Sequence, residues 1–521
     1  MTASAGARPD GHNPEEWFGH PKGLYVCFFT EMWERFSFYG MKALLFLYLT
    51  KYHLFGDAPS YDLLGAYGGL VYAVPVIGGM IADRYLGMRK AVILGAVLLC
   101  LGHFGMAFEG EQARFVDGVV VQDARALQVF YLSLALIVTG VGFLKPNISS
   151  LVGRLYADDD PRRDSGFTLF VAGINLGALF ASLVCGYLGE TYGWKYGFGA
   201  AGVGMLLGLV VFITGQKHLH GHAEPRDPAR LRERIAGPLN REWAIYLGAF
   251  AGALLVWQLI QRTWTVHGAM HLVFAAFVAW FAWFLVTQCT AAERGRMLSL
   301  VALILCALVF YTLYEQTYGS WVAFTDRLLD KNLLGLQMTA GSLTFLGAFF
   351  IVGLSPLFAW LWPWLAKRGL NPSTPVKSAI GLLFAGLAFL PMLAAARIGV
   401  DGALASVWWL VLAYLLLEIG EVCLYPIGLS AVSELSVRRV VSVMMGAWFL
   451  ATAYSEVLAA AFGKLSAIEV AEGAELDLLA AAAKYAELFW MLFLVGAGAA
   501  VIALLATPLI RRGMHATDQR T

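Results

Sequence analysis

The sequence predicts an all-α, polytopic membrane protein, and three observations carry that prediction. The first is composition: 59% of the 521 residues are hydrophobic and 14% are charged, against about 45–50% and about 25% in an average soluble domain. The second is that the excess falls in blocks. Stretches such as 91–108, 127–144, 301–314, 379–395 and 488–510 are apolar on nearly every face. A helix of about 20 such residues crosses a hydrocarbon core of about 30 Å. Lipid offers no partner to bare backbone, so spanning segments are helices or closed barrels, and the strands of a barrel alternate in polarity where these blocks do not. The third is that cations concentrate in alternate loops, as the positive-inside rule requires.

Taken in order, about fourteen segments meet the length criterion. Six of them (22–50, 62–82, 90–108, 126–152, 165–190 and 195–215) make up an N-terminal bundle, residues 1–215. Residues 216–241 are polar, carry Pro225, Pro228 and Pro238, and read as a cytoplasmic linker. Two segments nearly free of charge, 242–262 and 270–288, read as an insertion over 242–297. Six more (298–326, 337–364, 376–395, 405–433, 440–465 and 482–510) form a C-terminal bundle, residues 298–521. Cationic loops hold Arg84, Arg89 and Lys90; Arg154, Arg162 and Arg163; the linker, with Arg226, Arg230, Arg232, Arg234 and Arg241; then Arg294 and Arg296, Lys367 and Arg368, Arg438 and Arg439, and Arg511 and Arg512. The loops around 109–125 and 468–477 are acidic. Both termini are therefore expected on the cytoplasmic side. Met1–Trp17 lacks the apolar core of a signal peptide, so the first segment is expected to be retained. A weak repeat relates the halves: Glu34, Tyr39 and Gly40 echo Glu315, Tyr318 and Gly319, and Lys145-Pro146 corresponds to Glu421 and Pro426. Transporters built from two related bundles carry such repeats.

Several functions are disfavoured. A net charge of +1 gives no basic footprint for nucleic acid. The six cysteines lie mostly in apolar blocks without CxxC spacing, which suits inert packing. His218, His220 and His222 have no carboxylate or cysteine cluster nearby, so a solvated loop is preferred to a metal site. No nucleophile elbow, HExxH or phosphate loop marks an enzyme. Gly140-Val141-Gly142 is too short for a nucleotide fingerprint and suits close helix packing.

The informative residues are charges at membrane depth, each costing roughly 2.5–3.5 kcal/mol at a helix centre on insertion scales. Glu31, Glu34, Arg35 and Lys42 lie in the first segment. At about 100° per residue they share one stripe with Phe38, and Tyr39 borders it. A structural salt-bridge seam is the plainer alternative to a functional one. Lys145 stands alone in 136–151, beside Pro146, where proline removes a backbone donor and bends the helix. It needs a counter-charge, and Glu315, Glu418 and Glu421 are the candidates. Tyr311, Tyr314, Glu315 and Tyr318 share one helix face, as do Glu418 and Glu421. Cations thus come mostly from the first half and anions from the second. A ligand with a carboxylate at one end and an ammonium at the other fits between them, flanked by aromatic walls.

These residues resemble the proton-dependent oligopeptide transporter family of the major facilitator superfamily. Glu31 to Gly40 (EMWERFSFYG) is similar to its ExxERFxYYG pattern, with Phe38 for the first tyrosine. Gly79 to Lys90 resembles the superfamily's loop between segments two and three, and Gly142-Phe-Leu-Lys145-Pro146-Asn147 the fourth-segment motif. Phe170 to Ala178 resembles FYxxINxGS with Val171 for tyrosine; Glu421 to Ser430 and Met445 to Leu450 resemble the tenth and eleventh segments. Three departures stand out. Gly347-Ala348 takes the place of an expected Asn-Pro, Lys42 that of an arginine common in bacterial members, and Gly65 that of the histidine of animal members.

The resemblance implies the major facilitator fold of two six-helix bundles, with the two inserted helices of prokaryotic members. It implies a proton-coupled symporter that imports di- and tripeptides by alternating access, as a monomer without cofactor, in the bacterial cytoplasmic (inner) membrane. Arg35 and Lys145 would hold the peptide carboxylate, and Glu421 with Asn175 its amino group. Tyr39, Tyr72 and Trp448 would line side-chain pockets. Lys42 and Glu315 would border the substrate and close the outer side. Glu31, Glu34 and Arg35, with Glu315, would couple protons. A same-fold carrier of another solute, such as a nitrate-like anion or an amino-acid conjugate, and a non-transporting receptor are the alternatives.

Overall fold

The structure, a computed structural model, describes residues 16–157, 159–225, 227–468 and 477–515, apart from the side chains of 236 and 425–430. Most of the acidic 468–477 loop, Arg226 and the side chain of Pro426 lie outside the described residues. The long helices of the first half are α1 (Lys22–Leu47), α2 (Asp57–Ile81), α3 (Met88–Met106), α4 (Ala124–Arg154), α5 (Arg163–Ala181) with its short continuation α6 (Tyr187–Tyr192), and α7 (Trp194–Gly215). A one-turn helix in the linker, α8 (Pro228–Arg232), precedes the hairpin of α9 (Arg241–Ile260) and α10 (Thr263–Gln288). The second half holds α11 (Ala291–Tyr314) with α12 (Ser320–Leu328), α13 (Phe345–Lys367), α14 (Thr374–Leu387) with α15 (Phe389–Val400), α16 (Trp408–Leu435), α17 (Val441–Gly463) and α18 (Leu478–Met514).

Twelve helical stretches among the described residues are long and apolar enough to cross a membrane. α1 and α16 match them in length; α1 has its run of charges, and part of α16 lies outside the described side chains. The expected segment at 337–364 begins late. Leu336–Gln337 pairs with Asn332–Leu333 in a small ladder, and the Thr339 hydroxyl accepts a hydrogen bond from the Ser342 N–H at 3.2 Å where the helical backbone starts. Such a cap satisfies a donor that the first turn leaves bare.

Helix interruptions position the polar residues. Between α11 and α12 the chain tightens into a 3₁₀ turn, Glu315–Tyr318, and Gly319 then departs from helical geometry with φ −114° and ψ −98°. Mid-helix 3₁₀ turns often mark functional hinges. π-Helical turns interrupt the helical path after α1, α2 and α5, at Tyr48–Tyr52, Ala82–Leu86 and Ser182–Gly186. Where α3 crosses α4, a methyl group on Gly140 would stand 2.7 Å from the Gly95 carbonyl oxygen, so close backbone packing accounts for that glycine. In the second half the core gathers around Trp321, which packs edge-on to Phe389 and Tyr414 with centroids at 5.6 and 5.1 Å.

The halves meet along α1 with the 315–328 region, α2 with α17, and α5 with α13. Polar contacts between them cluster at the end that carries the 53–56 and 114–121 loops. Lys51 meets Asp326 at 2.5 Å. Arg327 donates to both carboxylate oxygens of Asp57, at 2.6 and 2.7 Å. Lys464 meets Asp62 at 2.7 Å, and Glu190 accepts the Gly341 N–H at 2.6 Å.

One part differs from the sequence reading. The linker is docked rather than simply solvated. Leu219, Ala223 and Leu231 are buried, Glu224 pairs with Arg89 at 2.5 Å, and Glu242 just beyond pairs with Lys90 at 2.6 Å. The cations of the loop after α2 are thus also the linker's anchors. The inserted hairpin touches both halves: α9 lies on α4, and α10 on α2 and α17. From α10, His271 Nδ1 lies 2.7 Å from the Tyr454 hydroxyl of α17, Phe274 stacks on the Tyr454 ring at 4.4 Å, and His267 Nδ1 lies 3.6 Å from Asp62 of α2.

Candidate functional site

Buried charges gather in three clusters. The first belongs to α1. Arg35, 2% exposed, donates through Nη2 to Glu34 Oε1 at 2.6 Å and through Nε to the other Glu34 oxygen; Glu31 Oε1 lies 3.4 Å from Nε. The guanidinium also lies over the Phe38 ring at 4.8 Å and the Tyr39 ring at 5.8 Å. So deep a charge needs partners, because an unpaired one is too costly to desolvate. The seat is closed by α5: a Cβ on Gly177 would stand 3.0 Å from Arg35 Cβ and would overlap the Met32 carbonyl. Lys145 of α4 belongs to this cluster as well. Its Nζ lies 5.1 Å from the Tyr72 centroid, a cation–π distance. The carboxylates that act on it most strongly are Glu34 and Glu31. Among the described residues no carboxylate pairs with Lys145 directly; α4 packs mainly on α3 and α2 and touches α1 within its own half, which brings Lys145 nearer Glu34 and Glu31 than the expected Glu315, Glu418 and Glu421.

The second cluster joins the halves. The sequence paired Lys42 with Glu315, and Lys42 Nζ lies 2.6 Å from Glu315 Oε2. A second carboxylate shares the ammonium: Glu456 Oε1 of α17 lies 2.9 Å away. Tyr318 stands over Nζ at 4.9 Å and stacks on Tyr39 with centroids at 6.2 Å. Glu456 was missed from the sequence, although the signal was there, a lone carboxylate within the apolar run 447–462. The intramembrane-charge rule applied to α1 selects it equally.

The third cluster is anionic. Glu418 of α16 is fully buried, and neither carboxylate oxygen has a hydrogen bond of good geometry. Glu421 and Tyr314 are its close electrostatic neighbours. The departure at Gly347 finds its place here, since a Cβ at that position would stand 3.0 Å from Glu418 Oε1. Any side chain there must displace the carboxyl or Tyr414. Trp448 is buried in α17. Asn175 is half-buried on α5 and makes no hydrogen bond among the described residues.

In sum of charge, Arg35, Lys42 and Lys145 face Glu31, Glu34, Glu315, Glu418, Glu421 and Glu456. The first half contributes all the cations, and the second half contributes most of the carboxylates. The surplus of anions is what protons and a ligand ammonium can neutralise, while the Arg35–Lys145 pair offers donors to a carboxylate.

The family model described as the POT family matches residues 89–474. An "Uncharacterized transporter YclF" from Bacillus subtilis (strain 168) is 37% identical over 452 residues, 85% of this chain and 87% of that protein. A "Dipeptide and tripeptide permease A" from Serratia proteamaculans (strain 568) is 32% identical, covering 95% of this chain and 92% of the relative. Among solved structures, a point mutant of the peptide transporter POT in complex with alafosfalin superimposes with a TM-score of 0.80 at 33% identity, over 96% of this chain and 98% of that one.

Proposed function

This chain belongs to the POT family, and from that premise we propose that it is a proton-coupled symporter importing di- and tripeptides by alternating access. The observation that carries the reading is the charge arrangement: a cationic pair on the first half, a carboxylate pair with no cation beside it among the described residues on the second, and the Tyr39–Tyr318 stack between the halves. A peptide has a carboxylate and an ammonium at its ends and neutral amides between them, which complements that arrangement. Buried ions in such a site are held by charge-assisted hydrogen bonds, each stronger than a neutral one.

Arg35 and Lys145 take the peptide carboxylate. Glu421, with Asn175, takes the amino group, and Tyr39, Tyr72 and Trp448 border the side chains. When the carboxylate arrives, it competes with Glu31 and Glu34 for Arg35. Arginine does not deprotonate in proteins, so a glutamate must accept the proton that releases it. Lys42 with Glu315 closes the outer side, and the inter-half contacts at that end support an inward-facing state in which the peptide leaves to the cytoplasm. The proposed divisions are an N-terminal bundle over 1–215, a linker over 216–241, inserted helices over 242–297 and a C-terminal bundle from 298, with the first helix of that bundle beginning earlier, at Ala291. The protein acts as a monomer in the bacterial cytoplasmic membrane with both termini inside, an orientation that the cation-rich alternate loops support.

The test is exchange at constant pH. Liposomes containing the purified protein and loaded with unlabelled dialanine should take up labelled dialanine. Dialanine and trialanine should compete, whereas alanine and nitrate should not. Competition by nitrate or by single amino acids alone would replace the peptide reading with another solute.

A further inference from the structure

We propose that Glu456 is a proton-binding residue of the outer seam, sharing one proton with Glu315 beside Lys42 whenever that seam is closed. Two carboxylates on one ammonium would leave a net negative charge if both were ionised. Lys42 and Glu456 are each 4% exposed, and the Glu315 side chain is 9% exposed. Like-charged carboxylates sharing a buried site do not both ionise readily, and an uncompensated buried charge is among the costliest features a packed seam can carry.

Among the described residues, the neighbouring elements supply no second cation in contact with the pair. α2 brings the Tyr67 and Tyr72 phenols, and Tyr318 belongs to the same turn as Glu315. The Tyr67 hydroxyl is buried without a hydrogen-bond partner and lies within electrostatic range of Lys42, Arg35, Glu34 and Glu456. α10 brings His267 beside Gly65, where a Cβ would stand 3.3 Å from its Nε2 and 3.1 Å from the Glu456 carbonyl oxygen; its Nδ1 lies 3.6 Å from Asp62, and Lys464 is already paired with that aspartate. Packing leaves the Glu456 carboxylate little freedom to turn away, because α2 presents Gly68 to it and a Cβ there would overlap the carboxylate. A cavity of about 20 Å³ adjoins Lys42, Glu315 and Glu456, room for about one water.

The two carboxylates lie on the second half and Lys42 on the first. When the halves part on the outside, the ammonium leaves and each glutamate meets water, where both ionise. Closing brings them back onto one lysine and takes up one proton from the outer side. As a coupling element this dyad presupposes proton-driven symport; as a proton site it does not.

Pulsed electron paramagnetic resonance separates the two. Nitroxides are attached at Gln112→Cys and Leu334→Cys, on exposed outer loops of opposite halves, after the six buried cysteines are changed to alanine. Distances are recorded in nanodiscs from pH 5 to pH 9. A single linked proton predicts that the outward-open to closed ratio rises with pH, approaching about tenfold per unit. Glu456→Gln, a neutral stand-in for the protonated acid, should give an outward-open to closed ratio that no longer changes with pH, while His267→Gln keeps the wild-type response. Glu456→Asp, should the glutamine variant fold poorly, should retain a response with a displaced midpoint. A wild-type distance that ignores pH, or a Glu456→Gln response equal to wild type, overturns the proposal. In liposomes the same Glu456→Gln protein should exchange dialanine yet accumulate it at least tenfold less. Absence of any peptide transport by wild type would refute symport of peptides, while the pH response of the spin-labelled protein would still decide whether Glu456 binds the proton.

Discussion

In the proposed cycle, charge competition falls on Arg35. Its guanidinium already holds Glu34 and approaches Glu31, so a peptide carboxylate must displace one of them. Glu34→Gln should abolish uphill uptake driven by a pH gradient but leave exchange largely intact, because glutamine cannot carry the proton. Full accumulation by that variant with wild-type pH dependence would move the proton site to Glu315 or the dyad with Glu456. Lys145 is tested more simply. A charge-assisted hydrogen bond contributes roughly 1.5–3 kcal/mol, so Lys145→Ala should weaken dialanine uptake by about tenfold or more, measured as the half-saturating concentration. The α1 stripe was legible because four charges on one face of an apolar helix cannot face lipid. The partners of Lys145 were not, since a linear sequence does not say that α4 leans on α1. Glu456 was legible in type but not in place, because nothing in α17 itself says that its carboxylate reaches across to a lysine of the other half.

At the scale of elements, the proposed closing rests on the α11–α12 break and the Lys42–Glu315 clasp. The 3₁₀ turn at Glu315–Tyr318 carries Glu315 to Lys42. Exchanging the charges, with Lys42→Glu and Glu315→Lys, should restore part of the transport that each single change removes. Glu456 then faces Glu at position 42 as well as Lys at 315, so adding Glu456→Gln should improve the rescue. Equal activity of both single variants and wild type would remove this pair from the gate. Next to it, Asp57 is 4% exposed and held by both guanidinium nitrogens of Arg327, which also donates to the Tyr485 hydroxyl at 3.0 Å. Removing one partner of a buried pair costs about 3–5 kcal/mol. Arg327→Ala should therefore lower thermal stability in detergent and raise the reactivity of outer-seam cysteine probes. The helices themselves were readable from apolar length. The docking of the linker and of the α9–α10 hairpin was not, because their anchors are single residues such as Glu224, His267 and His271 with no pattern around them.

At the scale of the whole molecule, the three clusters among the described residues place three cations against six carboxylates, and that deficit of positive charge is the physical basis of the proposed symport. A zwitterionic peptide brings a carboxylate as well as an ammonium, so it leaves that deficit for protons to fill. The fold class followed from composition, blocks of apolar residues and alternating loop charge; the assembly of the clusters required the helix packing. The central claim is that a proton gradient drives peptide accumulation, and one measurement addresses it directly. Purified protein in liposomes, alkaline inside, receives labelled dialanine or trialanine outside at low concentration. The expected result is internal peptide rising well above the external concentration and collapsing when a protonophore is added. Uptake that only equilibrates, or that accumulates equally with no pH gradient, would contradict proton-coupled peptide symport.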